Sequence, residues 1–176
     1  MTIASRQTST VASPGFAAEG AASELFKLGM RRLASGIGLV TTFHEGRPHG
    51  FVATSVTGVS AVPPSLLVCA NQTVSAHDPI ERTGRFCVSL LGQRDKAIAA
   101  QFSSSSRRDE RFTLGDWISL PSGSLALRSA MTWFDCVIEE RIRHHSHSIF
   151  LAHITEVGIG EQQMPLVYFD QHYLAR

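Results

Sequence analysis

From Leu39 to Tyr173 the chain is a succession of short segments with the two-residue period of a strand, broken by turns rather than by long helices. LVTTFH opens the series, and a turn at Glu45-Gly46-Arg47 leads into PHGFVATSVTGVS, which reads as one continuous strand run. Pro63-Pro64 ends it, because proline cannot donate a ladder hydrogen bond. SLLVCAN follows as an apolar run that predicts burial on both faces, and RFCVSLL is a further strand. MTWFDCVIEERI and SIFLAHITEVGI flank a turn in RHHSH and read as a hairpin, and PLVYFDQHY reads as the last strand. A parallel doubly wound sheet needs helices of about 10–15 residues between its strands, and these are missing. The pattern therefore predicts a mainly β fold of about six or seven strands, an antiparallel barrel carrying a few short peripheral helices.

Three helices fit the remainder. Ser23 is placed to cap ELFKLGMRRLASG, where Phe26, Met30, Leu33 and Ile37 form one apolar stripe. A short helix is predicted from Ser75 through Arg82 with Gly84 as its terminator, and QRDKAIAAQF presents Ile98 and Phe102 on one side. SSSSRRDER reads as a polar loop. Residues 1–23 contain one arginine and no apolar core of about 7–15 residues, so they read as a flexible polar tail rather than a secretory leader. Residues 24–176 then form one domain, of a size that buries roughly 70% of its unfolded surface.

Composition narrows the function classes. The formal charge is +1, from scattered basic and acidic residues, so no basic stripe exists to track a nucleic acid. No apolar run reaches about 18 residues, so no membrane-spanning helix is predicted. Cys69, Cys87 and Cys136 are far apart, form no CxxC pair and lie in apolar runs, which suits buried reduced thiols in a cytoplasmic protein.

Motifs for common chemistry are absent: there is no GxSxG, GxxxxGK[ST] or HExxH. GIGLVT, at 36–41, follows a helix and precedes a strand, the reverse of the order a dinucleotide fingerprint needs, and reads as a helix stop. His144, His145 and His147 cluster, with His153 further along the same strand face. They read as incidental turn residues or as a ligand contact; a metal site would want carboxylate or cysteine partners, so none is predicted. In ATSVTGVSAVPPSLLVCANQTVS, the groups of Thr54, Ser55, Thr57, Ser60, Asn71 and Ser75 alternate with apolar residues and no charge intervenes. That mixture suits a large flat ring with a polar edge, and equally a threonine- and serine-rich barrel surface.

The segments RRLASGIGLVTT, GRPHGFVATSVTGVSAVPPSLLVCAN, GRFCVSLL, DERF, SHSIFLAHI and PLVYFDQHY occur in an order that resembles the flavin reductase-like family, the small reductase components of two-component flavin-dependent monooxygenases. The resemblance implies a split β-barrel homodimer that binds FMN or FAD, takes hydride from NADH or NADPH, and passes reduced flavin to a separate oxygenase. It implies that Ala53, Thr54, Ser55 and Val56 lie along the isoalloxazine ring, and that Asn71 and Ser75 hold the ribityl chain and phosphate. It further implies that Arg111 meets a phosphate or pairs with Asp109 or Glu110, that His147 positions the nicotinamide, and that Tyr173 stands near the same pocket. His145-Ser146 and Ala152 depart from the family's usual Gly-Asp and Gly. A flavoprotein that retains FMN for its own substrate, or a flavin-binding module without activity, would use the same scaffold.

Overall fold

The computed structural model describes residues 19–174. These fall into two compact units that divide after Leu33. The first contains α1 (Glu19–Met30). Ser23 lies inside this helix rather than at its cap, and the helix takes in residues 19–23 of the predicted tail; residues 1–18 lie outside the described ones. The anticipated stripe divides: Phe26, Met30 and Leu33 are exposed, whereas Ile37 is buried within the second unit.

The second unit begins with β1 (Ser35–Gly36), β2 (Gly38–His44), β3 (Arg47–Ala53), β4 (Val56–Ala61) and β5 (Pro64–Asn71). Next come α2 (His77–Thr83), β6 (Arg85–Leu90) and α3 (Lys96–Ser103), then β7 (Trp117–Ser119) and β8 (Leu125–Leu127). The long hairpin β9 (Thr132–His144) and β10 (His147–Ile159) follows, and β11 (Val167–Phe169) and β12 (His172–Leu174) close the chain. Seven strands form one antiparallel sheet in the order β3-β2-β6-β9-β10-β5-β4.

The run read as one strand, PHGFVATSVTGVS, is split at Thr54-Ser55 into β3 and β4, and these are the two edges of that sheet. A flat sheet of seven strands would be roughly 29 Å across, at about 4.8 Å per step. The chain from Ala53 to Val56 spans about 10 Å at most. The sheet must therefore curl until its edges approach, with no β3–β4 ladder to seal them: a split barrel. Ser55 makes the break, because its Oγ donates to the Cys69 carbonyl (2.9 Å) and accepts from the Cys69 N–H (3.2 Å). No glycine or proline marks the position, so the sequence carries no sign of it.

Alternation along β2 sends its side chains to two cores. Val40 packs inside the barrel with Phe51, Val68, Phe86 and Phe150, and Ile80 of α2 caps this cluster. Leu39 points the other way, into a second core with Ile98 and Phe102 of α3. α3 lies close to β3 at Gly50, where a Cβ would come within 2.9 Å of both Phe102 Cε1 and the Val40 carbonyl oxygen. β5 is buried on one face and half-buried on the other, short of the two-faced burial its apolar run predicted, because β4 is its exposed edge neighbour. PLVYFDQHY is a small hairpin rather than one strand, turned by Asp170 and Gln171 at positive φ. No helix among the described residues is long and apolar enough to cross a membrane. Cys87 and Cys136 are buried and Cys69 half-buried; burial pushes the Cys87 thiol up to about 12.

Candidate functional site

The link from β5 to α2 is shaped by Asn71. Its Oδ1 accepts from Thr73 N–H (2.9 Å) and Thr73 Oγ1 (2.9 Å), an Asx turn that redirects the chain at the end of the strand. Gln72 fixes this turn to β10, its N–H donating to the Ser146 carbonyl and its Nε2 to that of His147. Asn71 and His147 are direct register partners, so two predicted site residues distant in sequence become neighbours. His147 is exposed, and its Nδ1 lies 2.9 Å from Ser146 Oγ. His77, which sequence reasoning passed over, secures α2 from beneath: its Nε2 is 2.8 Å from the buried Ser148 Oγ of β10.

Ser75 does not open α2. The helix starts at His77 with Ala76 before it, and no side chain caps it. The Ser75 hydroxyl accepts instead from Arg111 Nη1 (3.1 Å), so the positive group beside it is a guanidinium rather than a helix end. Arg111 is 8% exposed. Its Nη1 also donates to the Gly50 carbonyl (2.8 Å), its Nη2 to the Ser104 carbonyl (3.2 Å), and it stacks over Phe102 at 5.8 Å. The anticipated pairing with Asp109 or Glu110 does not form; Arg111 makes no ion pair among the described residues. A guanidinium carries five N–H groups. Three are accounted for, and buried Nε has no partner among the described residues. Burial lowers the Arg111 pKa from its usual value, as an unneutralised cation requires.

Two cavities of about 370 Å³ each meet at this arginine, and Ser75, Arg108 and Arg111 line both. The first is walled by Phe51, Val52, Val74 and Phe102, with the hydroxyls of Thr73, Ser103 and Ser105 at its margin. The second is bounded by Arg47, Pro48, His49, Gly50, Asp109 and Phe112. Of the nine predicted site residues, Ser75 and Arg111 line these two cavities and the other seven do not. Tyr173 is linked to the first through its hydroxyl, 3.2 Å from Ser103 Oγ. Ala53 and Val56 pack in or against the barrel core, the Ser55 hydroxyl is taken up by Cys69, and Thr54 is exposed at the bend. Arg108, Ser103 and Ser105 were missed. Their signal was present in SSSSRRDER, where adjacent arginines interrupt a hydroxyl-rich loop. Among the described residues, the group that could hold a metal is His77, Asp78 and Glu81, not the clustered histidines of the β9–β10 turn.

A phosphate-bearing ring compound fits this donor set: an apolar slot with hydroxyls at its margin, ending on a buried cation with an orphaned N–H. Fold and site together define a split-barrel protein of the flavin-binding kind, and residues 30–175 match the family model described as "Flavin reductase like domain". The chain belongs to that family. It is 39% identical over 148 residues to a protein named FMN reductase (NADH) RutF from Methylorubrum populi, an alignment covering 84% of this chain and 73% of that one. Among solved structures it is similar to the styrene monooxygenase flavin reductase SMOB from Pseudomonas putida S12, with 31% identity, a TM-score of 0.76, and coverage of 85% and 95% of the two chains. BorF, the flavin reductase component of a bacterial two-component tryptophan halogenase, gives 27% identity and a TM-score of 0.80, with coverage of 86% and 96%.

Proposed function

We propose that this chain is an NAD(P)H-dependent flavin reductase that delivers reduced FMN or FAD to a separate oxygenase. The observation that carries the reading is Arg111, a buried cation without a counterion, with an unpartnered N–H at the end of an apolar slot. Bound flavin would supply the ring that accepts hydride from the nicotinamide; the protein's part is binding, orientation and exclusion of water. Arg111 and Ser75 hold the phosphate, while Phe51, Val52 and Val74 cover a ring face. Asn71 offers its amide N–H groups, since its Oδ1 is committed to Thr73. The backbone from Ala53 to Val56 runs along the ring edge, with Thr54 its exposed side chain. His147 positions the nicotinamide from the neighbouring strand end, and Tyr173 orders Ser103 at the margin.

The names of SMOB, a styrene monooxygenase flavin reductase, and BorF, the reductase component of a two-component halogenase, support an oxygenase as the consumer. Exposed apolar side chains such as Val62, Ile159 and Phe169 support a homodimer, and the free cysteines support a cytoplasmic setting. The deciding experiment mixes the purified chain with NADH or NADPH and catalytic FMN or FAD, and follows loss of nicotinamide absorbance. Flavin-dependent consumption is the expected result; consumption no faster than without protein refutes the activity. Sedimentation as a monomer at working concentration refutes the dimer.

A further inference from the structure

The link between β5 and α2 supplies Thr73, Val74 and Ser75 to the first cavity, and the neighbouring end of β10 supplies His147. Hydride transfer needs the two rings at a fixed separation, so the link and the strand end must be held against each other. The link is tied internally: Val74 N–H donates to the Asn71 carbonyl (3.1 Å) and His77 N–H to the Val74 carbonyl (3.0 Å). The His77 side chain then fastens its far end to β10. We propose that His77 is a positioning residue for hydride transfer, acting through Ser148 to hold His147 in place against the flavin-binding link; this rests on the flavin reductase reading.

The contacts of the ring are specific. His77 is 2% exposed and Ser148 is fully buried, with 2.8 Å between Nε2 and Oγ. Asp78 Oδ1 lies 3.1 Å from Nδ1, so the carboxylate accepts from Nδ1–H and fixes the tautomer whose Nε2 accepts from the Ser148 hydroxyl. Phe150 flanks the imidazole, with ring centroids 5.6 Å apart. Glu81, 4.0 Å from Nε2, is engaged by Arg143, whose Nη2 is 2.7 Å from its Oε2. Ser148 pairs with Ala70 of β5 and Arg143 of β9, while His147, one residue before it, pairs with Asn71 and His144 at the end of both ladders. The His147 carbonyl accepts from Gln72 Nε2 (3.2 Å), so the link clamps two consecutive residues of β10. His77 lines neither cavity and touches no ligand position itself. A satisfied buried polar chain of this kind specifies one arrangement more than it stabilises, since apolar packing beside Phe150 would hold α2 as well.

Anaerobic stopped-flow reduction of FMN by saturating NADH, beside flavin fluorescence titration of the same full-length samples, tests this in Ser148→Ala, His77→Asn and His77→Gln. Ser148→Ala deletes a single oxygen, which keeps the test open if a His77 variant fails to fold. Ser148→Ala and His77→Asn, whose amide is too short to reach Ser148, are expected to slow the limiting rate of reduction about 10- to 100-fold with FMN affinity unchanged. Combining them is expected to slow it no further, because both break one contact. His77→Gln, whose amide oxygen falls near the place of Nε2 and can accept from Ser148, is expected to recover most of the rate. Lost orientation reads out in the limiting rate, unlike loss of the His147 ring itself, which reads out in the KM for NADH. A parental rate in Ser148→Ala, or a rate that falls only as far as FMN affinity falls, makes His77 a structural residue and overturns the proposal with the reductase reading intact. His77→Gln no faster than His77→Asn overturns it too. If the unaltered chain reduces no flavin, both readings fall.

Discussion

Replacing Arg111 with methionine separates the structural from the ligand-binding role of this side chain. Methionine retains packing against Phe102 and removes the three hydrogen bonds to Gly50 O, Ser75 Oγ and Ser104 O. Hydrogen bonds to a charged group contribute about 1.5–3 kcal/mol each, but burying the cation costs several kcal/mol and offsets much of that. What remains is the Gly50 carbonyl, on a buried residue and deprived of its donor, so unfolding in urea should show a loss of about 1–3 kcal/mol. The effect on ligands is selective. A phosphate on the free N–H groups gains charge-assisted bonds, so FMN should bind about 10- to 100-fold more weakly to Arg111→Met, whereas riboflavin, which has no phosphate, should bind as before. Arg111→Lys should recover only part of the FMN affinity, since an ammonium cannot reproduce the planar fork. Flavin fluorescence titration reads both ligands on the same folded sample. If FMN and riboflavin weaken equally, or FMN does not weaken, Arg111 is a structural cation and the phosphate lies elsewhere.

Three other outcomes are expected. Asn71→Asp keeps the Oδ1 that holds Thr73 but loses the amide donors, so flavin affinity should fall by about 1–2 kcal/mol with stability nearly unchanged; undiminished affinity removes Asn71 from the site. His147→Ala should raise the KM for NADH without altering flavin affinity, and should change stability by less than about 0.5 kcal/mol because the ring is exposed; a fall in flavin affinity instead reverses the assignment of sides. Asp135 is buried, and burial raises its pKa above 3.8, so the native state binds the proton more tightly than the unfolded chain does. Stability therefore declines as pH climbs through the window above 3.8, and Asp135→Asn should be more stable than the parent at neutral pH and converge with it in acid, as denaturant midpoints across pH would show.

Where local chemistry decided structure, the sequence was legible. The two-residue turn at Glu45-Gly46, both at positive φ, and the Gly84 stop after α2 in the left-handed conformation are each marked by a glycine. The long β9–β10 hairpin announced itself by alternation on either side of RHHSH. The division of β3 from β4 was hidden, because it depends on one serine hydroxyl meeting the backbone of a strand met later in the chain. Ser75 misled for a related reason: it has the residue type of a helix cap, but tertiary structure brings it an arginine from far along the chain. The same distance explains why the resemblance pointed to Asn71, Ser75 and Arg111 while the loop arginine Arg108 went unnoticed. The loop composition marked Arg108 only as one of two adjacent arginines; that it lines both cavities beside Ser75 and Arg111 is a fact of the folded chain.

Position 50 shows how the anion end of the slot can be adjusted from behind the barrel wall. The absent side chain lets α3 rest on β3, and the same residue's carbonyl receives the guanidinium. An alanine there would act as a wedge, levering α3 outward and dragging with it the loop that delivers Arg111. Ligand selectivity in this scaffold thus has a mechanical dial, one methyl group thick, at a residue whose only tie to the anion end is its backbone.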